Sequence, residues 1–91
     1  MEKITDKIRA EYPNPVKARI ATRCDEYCVL GAACRHFSGD NYYSFPTPLL
    51  ASGVLGISRI DAERVSWRND KGDFDAAWDI LEAALQNRQK Q

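Results

Sequence analysis

Residues 27–37 read Tyr27-Cys28-Val29-Leu30-Gly31-Ala32-Ala33-Cys34-Arg35-His36-Phe37. The run is small and apolar, with too little bulk and charge for a surface helix, so it belongs inside the protein. Gly31, Ala32 and Ala33 let another backbone come close, at a cost of up to about 1 kcal/mol in helix propensity for the glycine. The pattern predicts a central buried helix. A short buried strand ending at Gly31 is the alternative that pattern alone leaves open.

Elements that could cover such a centre lie on both sides. Ile4, Ile8 and Tyr12 recur every four residues among charges, which predicts a short amphipathic helix ended by Pro13 and Pro15. Pro15 suits a first helical turn, so residues 16–22 are expected to form a second short helical segment. Residues 38–48, SGDNYYSFPTP, combine turn formers with two prolines and read as the one real loop, unusually aromatic through Tyr42, Tyr43 and Phe45. Pro48 opens a short apolar segment that Gly56 closes. Ser58 followed by Asp61 resembles a capping box, so a helix carrying Ile60, Val65 and Trp67 should begin there and run to Asn69, where Asn69-Asp70-Lys71-Gly72 supplies a turn. Asp73 is a good N-cap for a last helix, on which Phe74, Ala77, Trp78, Leu81 and Leu85 follow helical spacing; beyond Asn87 the polar tail is expected to fray. The expected fold is a single all-α domain over residues 1–91, a bundle of four to five short helices with one aromatic, proline-rich loop.

Composition narrows the function classes. A chain of 91 residues supports one hydrophobic core. No stretch approaches the roughly 18 apolar residues of a membrane span, and the N-terminal segment, polar and of mixed charge, reads as neither a signal nor a transit peptide, which points to a cytoplasmic protein. Thirteen basic and thirteen acidic side chains cancel. Without a net positive field, nucleic-acid binding would need a local patch; Lys17, Arg19, Arg23 and Arg35 are the candidates, interrupted by Asp25 and Glu26.

All three cysteines, Cys24, Cys28 and Cys34, and the lone His36 fall within thirteen consecutive residues. They are the right number and type for a zinc site. On one helix at 100° per residue, however, Cys34 would sit about 120° from Cys28 and His36 about 80° to the other side, and the spacing C-x3-C-x5-C-x-H lacks the usual paired knuckles. Buried cysteine is also a common small core residue. Core packing is therefore the leading reading, with no metal and no cofactor, and the four-residue zinc set is the alternative. A Cys34–His36 dyad would need an extended chain and a third orienting group, and no catalytic residue is assigned. Asp70, Asp73, Asp75 and Asp79 lack calcium-loop spacing and suit helix capping.

The runs 27–34 and 69–78 together resemble a loosely defined group of short, uncharacterised bacterial and phage proteins with a Y-C-V-x-G-A-x-C run, a Phe-Pro pair such as Phe45-Pro46, and an N-D-x-G-D-F-x-x-A-W segment. The resemblance spans roughly residues 27–85. It implies a helical fold and a phage or mobile-element setting, with no activity attached; cysteines matching Cys28 and Cys34 recur in the group, and nothing matches Cys24 or His36. The leading expectation is a non-enzymatic protein-binding module, a small phage-borne modulator or inhibitor of a host protein, with Tyr42, Tyr43 and Phe45 as partner-binding residues. A small zinc-stabilised domain is the first alternative, and a nucleic-acid-binding accessory protein the second.

Overall fold

The chain's longest element is its last: α5, Phe74–Gln89, opens where Asp73 Oδ1 accepts the Ala76 N–H at 3.4 Å. Its apolar residues Ala77, Trp78, Leu81 and Leu85 are buried on one face, as their helical spacing requires. The computed structural model describes residues 3–15, 21–23, 26–38 and 48–89. Within them, α4 spans Arg59–Asp70, and its N-cap Ser58 accepts the Asp61 N–H at 3.1 Å. Gly72, at φ 80°, makes the turn between α4 and α5 in a backbone region that favours glycine. The two helices form the most extensive packed pair in the molecule.

The central run folds as α2, Val29–Ser38, and every residue from Val29 to Cys34 is buried. The strand alternative is thereby ruled out for that segment. Around α2 lie α1, Ile4–Glu11, which also packs on α5, and α3, Pro48–Leu55, which also packs on α4. Gly56, at φ 69°, ends α3. One core joins Ile8, Val29, Leu30, Ala33, Cys34, Leu55, Val65, Trp78, Leu81 and Leu85 with their small neighbours. Among the described residues the fold is thus a small all-α bundle of five helices.

Three local expectations need correction. Residues 21–22, expected in a helical segment, belong instead to a short strand β1, Ala21–Arg23, which pairs antiparallel with β2, Glu26–Tyr27. Tyr27 and Cys28 therefore precede the helix rather than begin it. Ile60 and Trp67, expected to flank the core, are 70% and 53% exposed. Buried Ala62, Val65 and Asn69 recur at i, i+3 and i+7 and define α4's inner face; at 100° per residue, positions 60 and 67 point the other way. Finally, the helix continues past Asn87. Arg88 donates to the Leu55 carbonyl and lies 4.9 Å from the Phe37 ring, tying the end of α5 to α3 and α2.

Two buried polar side chains on α4 and α5 cap helices far away in sequence. Asn69 Oδ1 accepts the Val29 N–H at 2.9 Å, across 40 residues, at the start of α2. Glu82 Oε1 accepts both the N–H and the hydroxyl of Thr5, at 2.9 and 3.1 Å, while its Oε2 accepts from Gln86 Nε2 at 3.0 Å. The first N–H groups of a helix have no partner within it and carry the positive end of its dipole, so an acceptor there satisfies both needs.

Candidate contact surface

Among the described members of the cysteine and histidine cluster, Cys28, Cys34 and His36 have separate surroundings. Cys28 is buried at the entrance of α2, where its Sγ accepts the Gly31 N–H at 3.4 Å and its carbonyl receives the first helical hydrogen bond from Ala32 at 2.8 Å. Burial pushes its thiol pKa above the ordinary 9.0, against the opposing pull of the Gly31 and Leu30 amides. A cysteine at a helix N-terminus is often activated as thiolate; here desolvation outweighs the helix end. Cys34, six residues on, lies wholly in the core. His36 turns outward, its Nδ1 2.6 Å from Glu11 Oε1 at the end of α1. Cys24 lies outside the described residues. Among the described residues no three His, Cys, Asp or Glu side chains come together in a way that could hold a metal ion, so Cys28, Cys34 and His36 do not form a ligand set.

The aspartates of the α4–α5 turn are engaged within the fold. Asp73 caps α5 and lies 3.8 Å from Arg68, Asp75 pairs with Arg9 at 2.9 Å, and Asp79 lies 3.9 Å from Lys3. Of the basic candidates, Lys17 and Arg19 lie outside the described residues, and Arg35 is half-buried on α2. Tyr42, Tyr43 and Phe45 also lie outside them. A groove of about 590 Å³ between the start of α4 and the end of α5 is lined by Gly56, Ile57, Ser58, Asp61, Ala84, Asn87 and Arg88, a set without a thiol or imidazole.

The feature that sets this surface apart is α3. Its sequence, PLLASGVL, holds no charged residue, and its one hydroxyl, Ser52 Oγ, donates to the Leu49 carbonyl at 2.6 Å. Ala51, Ser52 and Leu55 are buried. The opposite face carries Leu49, Leu50, Gly53 and Val54, within an arc of about 140°; the three large residues are 58%, 51% and 39% exposed. A helix on the surface of a globular protein ordinarily turns polar residues outward. This one carries no charge on either side, and Leu49, Leu50, Gly53 and Val54 on its outer face are exposed. On neighbouring α4, exposed Ile60 and Trp67 stand two turns apart, and Trp67 is flanked by cations, with Lys71 Nζ 3.8 Å and Arg68 Cζ 5.0 Å from its ring. Such contacts shield the indole without burying it.

Sequence reasoning recognised α3 as an element but not its outer face, because a short segment without a charged residue gives no signal of which side is inward. Comparison with known proteins finds no matching family model, no similar curated protein and no similar solved structure.

Proposed function

We propose that the chain is a non-enzymatic protein-binding module whose contact surface is centred on the outer face of α3. The observation that carries this reading is the exposure of Leu49, Leu50 and Val54 on a helix without a single charge. Exposed apolar side chains scattered singly are normal; grouped on one helix face they mark interaction sites. The buried centre of an interface is more apolar than the rest of the surface and depleted of charge. The engagement of Cys28 and Cys34 in the core, and of Asp73, Asp75 and Asp79 in a cap and ion pairs, also supports binding over catalysis. The partner is a host protein modulated or inhibited by a phage-borne chain, a setting that rests on the resemblance carried by residues 27–34 and 69–78.

The test compares two proteins as bait in a bacterial lysate, the wild type and Leu49→Glu/Val54→Glu. A partner retained by the wild type and lost from the variant, with the variant's thermal melt unchanged, supports the reading. A partner retained equally by both places the contact surface elsewhere.

A further inference from the structure

Between α1 and the end of α2 lies a concavity of about 300 Å³, lined among the described residues by Lys3, Ile4, Lys7, His36 and Phe37. That volume is at the small end of the range that ligand sites occupy. Its polar groups are two lysines and an imidazole, with no carboxylate among the described lining residues. Ile4, packed against the core, and the exposed Phe37 supply apolar walls. The His36 ring stands edge-on to Phe37 at 5.0 Å and is held by Glu11, which fixes this wall in place.

The two lysines sit where helix stability disfavours them. Lys3 is the N-cap of α1, at the positive end of the helix dipole, and Lys7 follows four residues later, a spacing at which like charges repel. Lys3 has a loose, exposed pairing with Asp79 at 3.9 Å, and Asp6 is occupied by the Lys3 backbone N–H at 2.9 Å. Lys7, alone among the described basic side chains, makes no ion pair, hydrogen bond or ring contact. An anion set between the two ammonium groups would offset their repulsion.

We propose that this concavity binds a small monocarboxylate with an apolar body, its head between Lys3 and Lys7 and its body against Ile4 and Phe37. The C-terminal end of α2, negative in its dipole, borders the same concavity and favours a singly charged head over a dianion. The site shares no residue with the outer face of α3, so it stands whether or not that face meets a partner.

Titration of the full isotope-labelled chain with phenylacetate, followed by NMR amide shifts, tests the proposal. Saturable shifts should centre on Lys3 to Lys7 and on His36 and Phe37, with a dissociation constant of about 1 mM. Phenethyl alcohol, which lacks the charge, and acetate, which lacks the body, should each bind about tenfold more weakly. Lys7→Met keeps the apolar stem and breaks no contact within the fold, so it should weaken phenylacetate about fivefold while the thermal melt stays unchanged. Acetyl-Leu-Phe carries the same head and body at a chain terminus; tighter binding than phenylacetate identifies a peptide end as the source, and weaker binding a free small carboxylate, both within the proposal. Shifts that fail to saturate by about 20 mM, equal binding of phenethyl alcohol or acetate, or unchanged binding by Lys7→Met would overturn it.

Discussion

Asn69→Ala should destabilise this protein far more than an asparagine in a turn sequence would suggest. Asn69 is almost fully buried and its Oδ1 accepts the Val29 N–H at 2.9 Å. Removing the amide strands a buried N–H at the start of the central helix, which costs about 1–3 kcal/mol, and leaves a small cavity worth about 1 kcal/mol more. The sum, about 2–4 kcal/mol, is a large share of the roughly 5–14 kcal/mol expected for a domain of this length. With an unfolding entropy of about 2.1 cal/mol/K per residue, 1 kcal/mol corresponds to about 5 °C here, so Tm should fall by about 10–20 °C. Circular dichroism melts at 222 nm provide the readout. Asn69→Leu separates capping from packing, since leucine fills the space but cannot accept a hydrogen bond; it should be nearly as damaging as alanine. Wild-type stability in Asn69→Leu, or a fall of less than about 3 °C in Asn69→Ala, would refute the capping argument.

Three further outcomes are expected. Trp78→Ala removes a buried aromatic from the second turn of α5 and should cost about 3–5 kcal/mol, lowering Tm by about 15–25 °C; an unchanged melt would place Trp78 outside the core. Cys28 should alkylate much more slowly at pH 8 than the same thiol in urea, because burial raises its pKa above the ordinary 9.0. In linkage terms, the stability tied to this thiol is fully present below its unfolded pKa and is lost as pH rises through the folded one, so Cys28→Ser should flatten the alkaline limb of a stability–pH curve; a limb of identical slope would contradict the shift. Elemental analysis of the purified protein should find no stoichiometric zinc, and one zinc per chain, lost together with the fold on chelation, would reverse that expectation.

The residues that announced their roles in the sequence are those whose physics is local. Ser58 and Asp73 cap helices three residues away, Pro48 and Gly56 bracket α3, and the spacing of Phe74, Ala77, Trp78, Leu81 and Leu85 marks one face of α5. Asn69 and Glu82 gave no such signal. Their partners lie 40 and 77 residues away, and nothing short of the packed bundle brings them together. The pairing of β1 with β2 was also hidden, since strands of three and two residues are too short to show alternation. For the candidate surface, the exposure of Trp67 and Ile60 was misread because their hydrophobicity drew attention from Ala62, Val65 and Asn69, the smaller residues that define the inner face of α4. The aromatic residues expected to bind a partner, Tyr42, Tyr43 and Phe45, lie outside the described residues, and the proposed contact surface rests instead on the exposed apolar groups of α3.

The central claim is that the outer face of α3 meets another protein, and site-specific photo-crosslinking tests it most directly. A benzophenone side chain installed at position 49, and in a separate protein at exposed Gln86 on α5 as the control, is irradiated in bacterial cells expressing the full chain. The account predicts a discrete covalent adduct from position 49 and none from position 86. Adducts of equal yield at both positions, or none at position 49, would contradict it.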